Sequence, residues 1–167
     1  MMPKIGGMVM PVPLADQIME KIDQAAELYH RLILVIAPSG AGKTAALQDV
    51  RDRTGATLIN VNLEVSRLML EMTQRQRTLE LPRLLQDISA RSQGEVILFD
   101  NVEVLFDVEL KQDPLRLLQG ISRNKTVVCA WSGSVVNNIL TYATPEHPEY
   151  KRYPVNDFLV ARLETVK

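Results

Sequence analysis

Apolar runs rich in β-branched residues alternate with segments of helical periodicity along this chain. The apolar runs predict five strands, at 32–36, 57–61, 95–100, 126–131 and 158–166. The periodic segments predict helices at 14–29, 43–53, 62–72, 81–90, within 110–124, and at 135–142. Alternating strands and helices form a parallel sheet with helices on both faces. The pattern therefore predicts a three-layer α/β/α fold with a five-stranded parallel sheet.

Three segments do not follow this alternation. Residues 1–13, which include three prolines, predict an irregular, flexible arm before a single domain at 14–167. Residues 74–77 form a polar, basic break between two predicted helices, and residues 144–154 are rich in proline and charge. This last segment is predicted to be a loop, and an ordered loop of this kind is more often functional than a filler.

The first predicted strand leads into a glycine turn at residues 37–44, APSGAGKT. The phosphate-loop pattern is Gly, four residues, then Gly-Lys-Ser/Thr, and Ala37 replaces its first glycine. Glycines let successive backbone N–H groups point at anionic oxygens, and the following helix adds its positive end. The sequence therefore predicts an ATP site with Mg²⁺, in which Lys43 reaches the phosphates and Thr44 binds the metal. The predicted cofactor-binding residues are Pro38, Ser39, Gly40, Ala41, Gly42, Lys43, Thr44, Ala45 and, from a later strand, Ser132.

The third predicted strand ends in a carboxylate, Asp100. We expect this strand to lie beside the first strand, where a carboxylate at the carboxyl end holds Mg²⁺ in nucleotide sites. Asp100 and Thr44 are therefore the predicted metal residues. A plain turn residue is the alternative for Asp100. Ser132 follows the fourth strand and would lie next to Asp100, in contact with the γ-phosphate or the attacking water. A simple turn serine is its alternative.

The residue that activates water is not evident from the sequence. Many ATPases of this kind have a Glu directly after the strand carboxylate, whereas this chain has Asn101. Asn orients a water molecule but does not accept its proton. Glu103, or Asp107 further on, would act only if the loop curls back. We therefore predict an ATPase that is slow or needs stimulation by a partner.

Composition limits the classes of function. The chain has 167 residues, 46% of them apolar, and a formal net charge of −1. A protein that binds nucleic acid through bulk charge would be far more basic, so any DNA contact needs a local patch. The candidate patch is Arg67, Arg75, Arg77 and Arg83, although a solvated surface is the simpler interpretation. No secretory signal, membrane span or disulfide pair is evident, so the expected location is the cytoplasm.

Three further segments carry a resemblance to a known family. They are LFDNVEVLFD at 98–107, LKQDPLRLLQ at 110–119 and HPEY at 147–150. Together with the phosphate loop, they resemble BrxF, the small phosphate-loop proteins of certain BREX bacteriophage-defence systems. The resemblance covers most of the chain from residue 32 onward. It implies an AAA+-like ATPase that works with other BREX proteins on phage or host DNA.

The AAA+ comparison also implies an oligomer. Such proteins supply an arginine from a neighbouring subunit just before the fifth strand, which by position is Arg152, with Arg123 as the second choice. A surface salt bridge is the alternative role for either arginine. If the arginine acts across an interface, the active unit is a homo-oligomeric ring or filament. AAA+ proteins also carry a helical lid after the fifth strand, and the sequence predicts none.

These observations leave three functions open. The first is an oligomeric ATPase subunit in phage defence. The second is a nucleotide-dependent switch or scaffold that does not hydrolyse ATP and recruits a DNA-acting partner, which Asn101 and the missing lid favour. The third, a small-molecule kinase, would need a lid with arginines and an acceptor pocket, neither of which the sequence predicts.

Overall fold

The structure is a computed structural model that describes residues 12–38, 40 and 42–163, and the backbone of residues 4–5 and 8–9. The helices are α1 (Leu14–Ala25), α2 (Lys43–Thr54), α3 (Val61–Met69), α4 (Gln74–Arg91) and α5 (Pro114–Ile121). The strands are β1 (Lys4–Ile5), β2 (Met8–Val9), β3 (Leu32–Ala37), β4 (Thr57–Asn60), β5 (Val96–Asp100), β6 (Thr126–Val136), β7 (Ile139–Tyr142), β8 (Lys151–Pro154) and β9 (Leu159–Arg162). Two 3-10 turns lie at Glu103–Phe106 and Val108–Leu110.

The main sheet is parallel, with the strand order β4-β5-β6-β3-β9. Every residue of β3 is buried, as expected for a central strand without apolar alternation. Leu32, Leu34 and Ile36 pack with residues of α3, α4 and α5, whereas Ile33 and Val35 pack with residues of α1 and α2. The fold is therefore mixed α/β with a mostly parallel sheet between two helical layers, as predicted.

The strand order corrects one prediction. We expected the strand that carries Asp100 to lie beside the first strand, but β6 lies between β5 and β3. The predicted final strand is present as β9, a four-residue edge strand parallel to β3. The predicted arm at 1–13 lies mostly outside the described residues, and within it β1 and β2 pair antiparallel. Among the described residues, no helix combines the length and apolarity that a bilayer crossing requires.

The predicted break at 74–77 is wrong, because these residues form the first turn of α4. Thr73 accepts a hydrogen bond from the Gln76 N–H, and the Gln76 side chain accepts one from the Thr73 N–H. This reciprocal pair is a capping box, which satisfies two free N–H groups at a helix start. The polar residues therefore begin a helix that continues to Arg91 instead of separating two helices.

The predicted helix at 135–142 is also wrong, because the segment is a β-hairpin. β6 extends to Val136, and β7 returns antiparallel after a turn at Asn137 and Asn138, whose φ angles are 51° and 62°. Two residues of positive φ suit the twist of a two-residue hairpin turn. Gly133 allows the strands to approach, because a Cβ there would lie 1.8 Å from the Thr141 carbonyl oxygen.

The hairpin adds a second, smaller sheet at the carboxyl end of β6. β7 pairs with β8, so the predicted loop at 144–154 ends in a strand. The Trp131 indole donates a hydrogen bond to the Thr141 carbonyl over 3.0 Å, and Phe106 stacks on Tyr142 with a centroid distance of 3.5 Å. These contacts fix the hairpin against the turn that follows β5. Side chains on the hairpin are thus held close to the carboxyl end of the main sheet.

Candidate functional site

The loop from β3 to α2 contains two glycines in the left-handed region. Gly40 has a φ of 78° and Gly42 a φ of 94°, and nothing lies within 4 Å of a Cβ built on either. Glycine is therefore favoured here by backbone conformation and not by crowding. Ser39 and Ala41, both predicted to bind phosphate, lie outside the described residues.

Lys43 begins α2, and its side chain turns back toward the end of β3. The ammonium group donates hydrogen bonds to the carbonyl oxygens of Ala37, over 2.8 Å, and Pro38, over 3.0 Å. The residue is only 8% exposed, and no carboxylate pairs with it among the described residues. Burial lowers the pKa of Lys43, and the charges of Glu103 and Asp100 partly oppose this shift. A lysine held only by neutral carbonyl oxygens is suited to an anionic ligand.

Thr44 and Asp100 meet at the base of the loop. Thr44 Oγ1 donates a hydrogen bond to Asp100 Oδ2 over 2.6 Å, and Asp100 Oδ1 accepts one from the Asn101 N–H over 3.0 Å. Asp100 is 7% exposed. Mg²⁺ binds hydroxyl and carboxylate oxygens and keeps several positions for water and phosphate oxygens. This donor pair therefore fits Mg²⁺ that arrives with a phosphate ligand. Across the described residues, no three His, Cys, Asp or Glu side chains cluster as a metal site of their own.

A cleft of about 410 Å³ lies above this pair at the carboxyl ends of the parallel strands. Ligands in open α/β sheets bind at this end of the strands. The cleft is lined by Gly40, Gly42, Lys43, Thr44, Ala45, Gln48, Asp100, Asn101, Glu103, Ala130 and Ser132. The structure thus brings Ser132 and Ala45 into the predicted cleft, together with both candidate metal residues. Pro38 is exposed at the end of β3 and contributes its carbonyl oxygen to Lys43.

The loop after Asp100 curls back, as a role for Glu103 requires. Asn101 has a φ of 52°, and its carbonyl accepts a hydrogen bond from the Asn62 N–H over 2.8 Å. Asn62 Nδ2 donates to Glu103 Oε2 over 3.1 Å, and Asn62 Oδ1 accepts from the Val104 N–H over 2.7 Å. Asn62 therefore holds Glu103 at the cleft, a role that the sequence analysis missed. The pairing joins α3 to a distant turn, so no local pattern indicates it.

The two candidate arginines lie at opposite ends of the sheet. Arg152 is exposed on β8, opposite Thr141 of β7, in the small sheet that extends from the carboxyl end of β6. Arg123 follows α5 at the amino end of β6, and its guanidinium lies 5.0 Å from the centre of the Tyr29 ring. The structure therefore does not bring Arg123 to the cleft of its own chain. The role of either arginine across an interface stays a prediction.

The candidate basic patch is largely occupied by contacts within the chain. Arg67 pairs with Glu64 at 3.6 Å, and Arg83 pairs with Glu80 at 3.5 Å and Asp87 at 3.8 Å. Arg77 donates a hydrogen bond to the Met69 carbonyl over 3.1 Å. Of the four arginines, only Arg75 makes neither kind of contact within the described part of the chain. DNA contact by the patch stays a prediction, because the Arg67 and Arg83 side chains are still 63% and 74% exposed in these pairs.

Comparison with known proteins identifies no family. No protein-family model matches the sequence, and no curated protein matches it. One similar solved structure is that of C. elegans PCH-2, which is 13% identical with a TM-score of 0.42. The match covers 91% of this chain and 41% of that chain, so the present chain spans less than half its length. A similarity at this level carries no conclusion about fold family or function.

Proposed function

We propose that this protein is a phosphate-loop ATPase that binds ATP with Mg²⁺ in the cleft at the carboxyl end of its sheet. The observation that carries the proposal is the 2.6 Å hydrogen bond between Thr44 Oγ1 and Asp100 Oδ2. The two residues are 56 positions apart in the chain, yet they meet beside a buried lysine and a glycine loop. This is the combination of groups that a Mg²⁺-triphosphate ligand needs.

The proposal assigns a role to the polar groups of the cleft that would contact the ligand. The Lys43 ammonium would exchange its two carbonyl partners for phosphate oxygens, and the loop amides would donate to the same anion. Thr44 and Asp100 would hold the metal, which supplies charge neutralisation on the phosphates when bound. Ser132 would donate its hydroxyl to the terminal phosphate or to the attacking water. These groups bind and orient the ligand before any reaction begins.

Hydrolysis would depend on Glu103. Its carboxylate would accept a proton from the water that attacks the terminal phosphorus, while ADP leaves. Asn62 would hold that carboxylate in place, and Asn101 would orient the water without taking its proton. Since Asn101, and not a proton-accepting Glu, directly follows Asp100, we expect slow turnover by the isolated protein.

We further propose that the protein acts in the cytoplasm as a homo-oligomeric ring or filament in a BREX-type defence system, with other BREX proteins that act on DNA. The support is the resemblance of residues 98–107, 110–119 and 147–150 to BrxF. Arg152 is the arginine that would act across the interface, because it is exposed in the small sheet that extends from the carboxyl end of β6. Direct DNA contact by the arginine patch has weaker support, because three of its members are already engaged.

The second candidate is a nucleotide-dependent switch that binds ATP without hydrolysing it. Asn101 favours it, because this exposed residue follows Asp100 and carries no group that accepts a proton. In this case the Asn62–Glu103 contact would be structural.

Phosphate release separates these possibilities. The ATPase proposal predicts slow release whose rate per subunit rises with protein concentration, because the site is shared. Asn101→Glu should increase the rate. A thermal shift with Mg²⁺-ATP but no release over hours would support the switch. Release that is independent of protein concentration would contradict a shared site.

A further inference from the structure

The two edge strands of the main sheet, β9 and β4, differ in whether their outer main-chain groups have hydrogen-bond partners. At one edge, the Gln17 side chain donates to the Arg162 carbonyl over 2.9 Å and accepts from the Arg162 N–H over 3.2 Å. Gln17 therefore hydrogen-bonds to the outer main-chain groups at the end of β9, and helix α1, which carries Gln17, packs against this strand. Proteins protect sheet edges in this way because unpaired N–H and C=O groups recruit other strands.

The opposite edge, β4, has no such protection. β4 pairs only with β5, and no other described group hydrogen-bonds to the main chain of Leu58 or Ile59. The strand contains no proline and no charged residue. Its outer N–H and C=O groups therefore form a template for one more strand.

A groove of about 630 Å³ runs along this edge. Ile59, Leu63 and Ile88 provide its apolar wall, whereas Leu58 lines it from the opposite face of the sheet. Leu63 is 55% exposed although it lies beside the edge of a hydrophobic core. An apolar wall next to free main-chain groups suits an extended peptide whose alternate side chains point into the groove.

Two polar groups at the end of α4 complete the groove. The Ser92 hydroxyl is the one buried side-chain polar atom with no hydrogen-bond partner among the described residues. Arg91 is exposed in the same groove and pairs with no carboxylate there, since its Nε donates only to the Asp87 carbonyl. The unsatisfied hydroxyl costs free energy, but its oxygen is buried, so Arg91 is the polar group at this end that a ligand can contact. Glu64 also lines the groove but pairs with Arg67, so the exposed Arg91 guanidinium is the charge that favours an acidic side chain.

We propose that the β4 groove binds an extended segment of a partner protein, which adds as a strand to β4. The segment has apolar residues at alternate positions against Leu63 and Ile88, and an acidic residue facing Arg91. This inference is independent of nucleotide binding, because the groove lies at the edge of the sheet and shares no residue with the cleft.

The test uses a display library of eight-residue linear peptides, selected on the full chain without nucleotide. We expect selected peptides to carry an acidic residue among alternating apolar ones, and to protect the amides of β4 from hydrogen exchange. Methylation of alternate peptide nitrogens should abolish binding in one of the two registers, because those N–H groups pair with the edge. Equal binding by peptides methylated in both registers would contradict strand addition.

Matched variants assign the binding to the groove. Leu63→Lys should weaken the selected peptides about tenfold or more, whereas Leu70→Lys, a change at an exposed leucine outside the groove, should not. Arg91→Glu should shift the selection from acidic to basic peptides. Failure to select any peptide, or equal loss in Leu63→Lys and Leu70→Lys, would overturn the proposal. If the protein alone forms a dimer and Leu63→Lys makes that dimer dissociate, the proposal is also overturned, because the occupant of the groove would then be a second copy.

Discussion

The two ends of the parallel sheet treat their positive charges in opposite ways. At the amino end, three cations each have a partner within the chain. Arg31 lies 3.7 Å from Glu95, Arg123 lies over the Tyr29 ring, and Lys125 bonds to the Ser92 carbonyl. At the carboxyl end, by contrast, carboxylates and a lysine face one cleft without forming an ion pair.

This difference separates a structural arrangement from a binding arrangement. Charges that satisfy each other leave little to offer a ligand, and each such contact contributes little to stability at the surface. Groups of opposite charge that share a cleft without pairing are instead typical of a functional site. The carboxyl end is thus the end where substitutions should affect nucleotide binding, and the following predictions test that contrast.

The largest effect is expected at Lys43. Lys125 is its control, because both lysines bond to main-chain carbonyls. Lys43→Ala should weaken Mg²⁺-ATP binding by at least roughly 100-fold, because the variant loses the charge-assisted contact with phosphate. Lys125→Ala removes an equivalent contact at the amino end and should leave the affinity unchanged. Fluorescent-nucleotide titration measures both. Equal ATP affinities of the two variants would contradict the proposed difference between the two ends of the sheet.

The next effect concerns turnover and not binding. Glu103→Gln should lower phosphate release about 100-fold at unchanged ATP affinity, because the amide accepts no proton. Asn62→Ala should lower release about tenfold, since Asn62 only positions the carboxylate. Glu109→Gln, an exposed acid on the following turn, is the control. Unchanged release by Glu103→Gln would exclude Glu103 as the base.

The two arginines provide a third test. Arg152→Ala should lower the concentration-dependent part of turnover at least about tenfold, because an arginine that reaches a neighbouring site stabilises transition-state charge. Arg123→Ala should change neither turnover nor assembly, because its guanidinium lies on Tyr29 at the other end of the sheet. Sedimentation and phosphate release are the measurements. Loss of activity in Arg123→Ala alone would reverse the assignment.

The smallest effect is on alkaline stability. Burial, and then the charges of Glu103 and Glu149, raises the pKa of Tyr142 to about 12. The unfolded phenol ionises near pH 10, so the stability that Tyr142 contributes is present below pH 10 and is lost as pH rises through 12. Urea unfolding at pH 9 and pH 11.5 should show a smaller loss for Tyr142→Phe than for wild type, by at most about 2 kcal/mol.

Tyr29→Phe is the control for this effect, because Tyr29 is 68% exposed at the amino end. Its loss of stability between the two pH values should equal that of wild type. A Tyr142→Phe variant that loses as much stability as wild type would show that the Tyr142 hydroxyl does not ionise on unfolding.

Much of the fold was predictable because it depends on local signals. The β-branched run of β3 predicts a strand, and the glycines before Lys43 predict a turn. Gly55 ends α2 in the left-handed region. The hairpin after Trp131 was missed, although its signal was present: Asn137 and Asn138 tolerate positive φ between two apolar pairs. There, a helical spacing of apolar residues was given more weight than turn chemistry.

The candidate site was predictable only in part, because its geometry depends on distant pairing. Thr44 and Asp100 were both expected at the metal, but the position of β6 between β3 and β5 follows from topology, which local patterns do not specify. Asn62 was missed for the same reason, since its partner Glu103 lies 41 residues away. The sequence thus indicates which residue types form the site, whereas the contacts between them are seen only in the structure.

Titration calorimetry of the folded protein with ATP tests the central claim most directly. We predict a saturable heat with ATP and Mg²⁺, one site per chain, that falls strongly when EDTA removes the metal and is absent in Lys43→Ala. If the folded wild-type protein gives no heat with Mg²⁺-ATP, the cleft at Thr44 and Asp100 is not a nucleotide site.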